Sequence, residues 1–134
     1  MSVSSVRAAT ADREQRPTVI DDTHLERMTL GDRRLEREVL ELFVRQTTIL
    51  LGRIVGPDPA LAAAAAHTLK GSARGIGAWR VARAAELVES AASGEGGRGA
   101  MDEAVTELKS ASLEASAAIG ARLTGLTAEL SRTR

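Results

Sequence analysis

The sequence predicts an all-α protein, an antiparallel up-down four-helix bundle with a short N-terminal helix capping one end. Three observations predict it. The 43% apolar fraction is almost entirely Ala, Leu and Val, with one Phe, one Trp and no Tyr. Such a composition suits closely packed helices better than strands, which favour aromatic and β-branched side chains. Apolar residues recur three and four apart along several segments, the period of a helix with one buried face. Short breaks bearing Gly, Pro or Asp separate those segments, and short connections set consecutive helices antiparallel.

A chain of 134 residues is expected to form one domain. We assign it to residues 19–134. Residues 1–18 are rich in Ser, Ala, Thr and Arg without periodicity, and read as a flexible tail. Thr23 and Glu26 have capping-box spacing, which suits a short helix through Met28 and Leu30. Gly31 can end it and Asp32 can cap the next. From Asp32 to Val55 the apolar positions are Leu35, Val39, Leu42, Phe43, Ile49, Leu50 and Ile54, with Arg34, Glu38, Glu41 and Arg45 opposite. Gly56-Pro57-Asp58-Pro59 then supplies a C-cap glycine, an N-cap aspartate and a proline at a first helical position. The third main helix starts near Pro59 with the stripe Ala62, Ala66, Leu69, Ala73 and Ile76, and Gly75 and Gly77 loosen its end. The fourth runs from Trp79 to Ser93 and buries Val81, Ala84, Ala85, Val88 and Ala92. A glycine-rich loop at 94–99 leads to the last helix, Met101 to Ser131, with Val105, Leu108, Ser112, Ala115, Ile119, Leu126 and Leu130 inward.

Composition also excludes function classes. Eighteen basic and eighteen acidic residues cancel, so the broad basic footprint of a nucleic-acid binder is missing. Without cysteine there is neither a disulfide framework nor a thiolate metal site. No apolar h-region follows Arg7, and no apolar run reaches the ~20 residues of a membrane span. A cytoplasmic location without membrane contact is the expectation. The glycines of 94–99 lack the Lys-Ser/Thr ending of a phosphate loop, so nucleotide-dependent kinase activity is not expected.

The informative cluster is His67-Thr68-Leu69-Lys70-Gly71-Ser72-Ala73. On a helix His67, Lys70, Gly71 and Arg74 stack on one face. That face offers an imidazole, two cations and a position with no side chain. Lys70 and Arg74 are poised to neutralise an anion on the ring. Gly71 costs ~1 kcal/mol relative to alanine in a helix interior. Either close packing inside the bundle or clearance for a partner accounts for it, and its place on the His67 face favours clearance. After the turn at 76–78 an equal rise along the return helix, at ~1.5 Å per residue, comes back to the level of His67 near Val88 and Glu89. A carboxylate there would bond Nδ1–H and leave Nε2 as nucleophile. Glu86, one turn earlier, is the competing residue.

His67 to Ala73, followed by Gly75-Ile76-Gly77-Ala78 and ending in Val88-Glu89, resembles the histidine-containing phosphotransfer (HPt) domains of two-component phosphorelays. The helix layout resembles theirs over 20–131. The resemblance implies a four-helix bundle whose His67 accepts a phosphoryl group from a receiver aspartate and passes it to another. It implies that Lys70 stabilises the phosphate, that Gly71 clears space for the receiver, and that Glu89 bonds the imidazole. Arg74 and Ser72 are assigned with Gly71 to partner contact, Arg74 without an invariant counterpart. The implied partners are response-regulator receiver domains and a hybrid histidine kinase, with Mg²⁺ brought by the receiver and no cofactor or metal of the chain's own. A monomeric phosphocarrier is expected. The alternatives are a partner-binding helical bundle with an incidental histidine, and a sensor-kinase dimerisation and phosphoacceptor domain. The latter normally has an acidic residue directly after its histidine, where this chain has Thr68. His24 reads as helix surface and Phe43 as core; Trp79 reads as end-of-bundle packing ahead of a partner contact, and Leu25 and Met28 as cover for the bundle end ahead of part of a receiver-docking surface.

Overall fold

The computed structural model describes residues 18–97 and 99–132. The expected tail at 1–18 therefore lies outside the described residues, apart from Thr18. The elements are α1 (Asp22–Met28), α2 (Arg33–Ile54), α3 (Pro59–Ile76), α4 (Trp79–Ala92) and α5 (Ala100–Arg132). Among the described residues there is no strand. Helices α2 to α5 form the bundle, with α3 packed between α2 and α4, and α5 between α4 and α2. Helix α1 leans on α3. No described helix is long and apolar enough to cross a membrane.

Local chemistry explains most boundaries. Asp32 caps α2 by accepting from Arg34 N–H and Leu35 N–H, and Asp58 caps α3 by accepting from Ala60 N–H and Leu61 N–H, with Pro59 at the first position. Gly77 adopts φ +79°. Its N–H and that of Ala78 donate to the carbonyls of Arg74 and Ala73, a Schellman closure of α3. Far from loosening the end, Gly77 seals it.

Three boundary expectations need correction. The cap of α1 lies two residues before Thr23, because the Asp21 carboxylate accepts from His24 N–H at 3.1 Å and starts the helix at Asp22. It stops at Met28, and Leu30 lies outside it with φ +56°. Gly56 does not adopt the left-handed conformation, since Val55 ends α2 in the right-handed region.

The core stripe of α3 is as expected, with Ala65 added. Small residues such as Ala66, Ala73, Ala84, Ala85, Ala111 and Ala115 are all buried, which lets helix axes approach closely around Leu40, Leu69, Val88, Leu108 and Ile119. Phe43 is buried as expected. In α2 the inward line is rotated from the expected one. Glu36, Leu40, Phe43, Thr47, Leu50 and Ile54 are buried, while Leu35, Leu42 and Ile49 are exposed. The reason is polar. Thr47 satisfies its hydroxyl on Phe43 C=O at 2.7 Å. Glu36 accepts from Arg33 at 3.2 Å and Arg122 at 3.4 Å. Both residues therefore enter the core, and a purely apolar count misses them.

Candidate functional site

The site grows from the outer face of α3. Leu69 and Ala73 anchor that helix inward, so His67, Gly71 and Arg74 are turned out. The His67 side chain is 68% exposed. Its Nδ1 lies 2.9 Å from Glu89 Oε2 on the return helix α4. A carboxylate oxygen only accepts, so Nδ1 carries the proton and donates. In the neutral ring the lone pair is then on Nε2, at the solvent side.

Glu89 serves two donors. Its other oxygen accepts from Lys70 Nζ at 2.8 Å. Lys70 is the least exposed member of the trio, at 15% against 29% for Glu89. The Lys70 ammonium first, and the His67 hydrogen bond after it, outweigh partial burial and hold the Glu89 carboxyl below its ordinary range. One anionic side chain thus ties the imidazole and the ammonium together across two helices.

Gly71 is exposed, and a Cβ built on it would meet nothing within 4 Å. Close packing inside the bundle therefore does not explain this glycine. Arg74 turns sideways, with its guanidinium 3.9 Å from Glu86. The two carboxylates that competed in the sequence thus take different partners, Glu89 with His67 and Glu86 with Arg74. Ser72 faces the opposite flank, its Oγ 3.5 Å from Gln46 Oε1 of α2.

On that flank lies an apolar groove of about 270 Å³ whose lining includes Leu25 and Met28 of α1, Leu42 and Phe43 of α2, and Ser72 and Gly75 of α3. Leu42 was expected in the core and is instead on this surface. Leu35, Leu42 and Ile49 are spaced by sevens, separately from the Leu40, Phe43, Leu50 and Ile54 set. That second register is the signal from which the wall could have been found.

Two residues expected at the margin have defined partners. His24 is not idle surface, because its Nε2 lies 2.8 Å from Arg74 C=O and its ring meets Trp79 edge-on at 4.8 Å. Trp79 stands at the bundle end, exposed and not packed into it, with Nε1–H donating to Asp21 Oδ2 at 2.9 Å. Among the described residues, no group of three or more His, Cys, Asp and Glu side chains is placed to hold a metal ion.

The helical bundle thus presents a carboxylate-tethered histidine and a neighbouring lysine beside an open helix face. Residues 38–132 match the Hpt domain family, and the chain belongs to it. The fold is similar to the crystal structure of the histidine phosphotransferase ShpA from Caulobacter crescentus. The similarity has a TM-score of 0.65 and 25% identity, and covers 84% of this chain and 97% of that one. No match to a curated protein was found. Family membership gives the chain a phosphotransfer role in phosphorelays, in which such domains meet receiver domains.

Proposed function

We propose that His67 is the phosphoacceptor, taking a phosphoryl group from a receiver aspartate and delivering it to a second receiver. The observation that carries this reading is the 2.9 Å contact between His67 Nδ1 and Glu89, which leaves Nε2 exposed beside the bare helix face at Gly71. The Nε2 lone pair attacks phosphorus as the bond to the aspartyl oxygen breaks, so an N–P bond replaces an acyl phosphate and the aspartate leaves as carboxylate. The transition state is largely metaphosphate-like, which makes alignment and charge the protein's main contributions. The ring gains positive charge as the N–P bond forms, and Glu89 offsets it. Lys70 can then turn from Glu89 to the phosphoryl oxygens on its flexible stem. Mg²⁺ belongs to the receiver's acidic pocket on this reading.

The receiver docks on the apolar groove and the exposed line Leu42 and Ile49 of α2, with Gly71 admitting it close to His67. Ser72 lies on that flank and contributes polar contact, and Arg74 borders the ring's other side. The donor is the receiver of a hybrid histidine kinase, and this chain acts as a monomeric carrier in the cytoplasm without a kinase step of its own. The test is incubation with a phosphorylated receiver. An acid-labile, base-stable phosphate that is lost in His67→Gln supports the relay, and labelling that survives the substitution overturns it.

A further inference from the structure

Helix α1 supplies the Leu25 and Met28 wall of the groove, yet it has only seven residues. Isolated helices below ~12–15 residues are marginal at best in water. What holds α1 therefore decides the shape of the groove. Leu25 and, just before the cap, Ile20 are buried and anchor the segment, but apolar contacts are non-directional and do not specify how the helix is turned.

Direction comes from polar contacts, and several converge on the turn between α3 and α4. Asp21 N–H donates to Gly77 C=O at 3.0 Å. Trp79 Nε1–H donates to Asp21 Oδ2 at 2.9 Å, while the other carboxylate oxygen caps α1 through His24 N–H at 3.1 Å. His24 Nε2 reaches Arg74 C=O at 2.8 Å, and since a carbonyl only accepts, this nitrogen carries the proton. The His24 ring stands edge-on to Trp79 with planes at 61°. Gly77 makes the approach possible, because a Cβ there would come within 2.8 Å of Asp21 Cβ.

We infer that Trp79 and His24 are positioning residues for receiver docking: acting through Asp21 and the Arg74 carbonyl, they latch α1 in place as one wall of the groove beside His67. The inference rests on the proposed function, in that the groove receives the partner. Neither residue touches the reacting atoms. The latch shapes the surface that the receiver meets and leaves the reactivity of His67 unchanged.

Two phosphoryl donors separate docking from chemistry. A phosphorylated receiver must dock, whereas phosphoramidate reaches the exposed His67 without a docking surface. The full chain is compared with Trp79→Phe, His24→Leu and His24→Gln. Trp79→Phe and His24→Leu should raise the half-saturating receiver concentration roughly three- to tenfold, the scale of one net hydrogen bond. Their phosphoramidate rates should stay within about twofold of the unaltered chain, a fraction of that hydrogen-bond effect. His24→Gln, whose amide can still donate to Arg74 C=O, should return towards the original half-saturation. Should Trp79→Phe fail to fold, the His24 pair carries the test. Unchanged half-saturation in the foldable variants overturns the latch while leaving the relay standing. So does an equal loss with both donors, which marks a general structural defect. If the unaltered chain takes no phosphoryl group from the receiver, the docking reading falls and the latch with it.

Discussion

His67 and Glu89 stand twenty-two residues apart and meet at 2.9 Å between Nδ1 and Oε2, with Lys70 held by the same carboxylate at 2.8 Å. The contact selects the ring tautomer, so its removal should act on chemistry. Glu89→Ala should lower the phosphorylation rate by roughly tenfold or more, the range of a hydrogen bond to a charged group. Receiver affinity should stay nearly intact. Rapid-mixing transfer assays together with equilibrium binding would check this, and a weakened complex with normal chemistry would place Glu89 at the interface instead.

Glu89 also makes stability depend on pH. The Lys70 ammonium foremost, and His67 after it, lower its pKa from the ordinary 4.5. A depressed carboxyl pKa contributes stability that is complete above the ordinary value and is lost as pH falls through the folded value. Urea midpoints of the chain and of Glu89→Gln should therefore differ by a constant amount at neutral pH. The difference should shrink below the ordinary carboxylate range. A gap that widens on acidification would contradict the pairing.

Gly71 should separate stability from function. Its face is open, so Gly71→Gln meets no clash in the bundle and gains helix propensity of under about 1 kcal/mol. Helix content and melting temperature should hold or rise slightly while transfer from a receiver slows. An unchanged transfer rate would refute the clearance argument.

Arg122 should matter to the stability of the fold. It pairs with buried Glu36 and with Asp22, joining α5 to α2 and α1. Arg122→Met leaves Glu36 with Arg33 as its remaining cation partner. Removing one member of a buried pair costs ~3–5 kcal/mol, and about 3 is expected here because Arg33 stays. Combining it with Glu36→Leu should recover much of the loss, since a buried ion pair is often replaceable by packed apolar side chains. Denaturant unfolding of the single and double variants measures both effects.

Much of the fold is legible without coordinates because it rests on local chemistry. Asp32, Asp58 and Pro59 act on their own helix starts, and the Ala62 to Ile76 line needs only a period of 3.6 to be read. The level of Glu89 opposite His67 follows from equal rise on two helices joined by a short turn. Legibility fails where an apolar count meets a polar residue with a distant partner. Glu36 enters the core with Arg33 of its own helix and Arg122 of the distant α5 as partners, and with it the inward line of α2 rotates, moving Leu35, Leu42 and Ile49 to the surface. Asp21 takes the cap expected of Thr23, and Trp79 and Gly77 from a separate turn hold Asp21 in place.

By itself, then, the sequence determined the helical class, the order of the bundle helices and the face that carries His67, Lys70 and Gly71, since periodicity and capping act within a few residues. Tertiary structure alone decided that one carboxylate serves both His67 and Lys70, that Arg74 turns to Glu86, and that α1 closes an apolar groove beside them. Those outcomes depend on side chains meeting across helices, where a rotation of a few tens of degrees exchanges a buried position for an exposed one, and no local rule sets that angle.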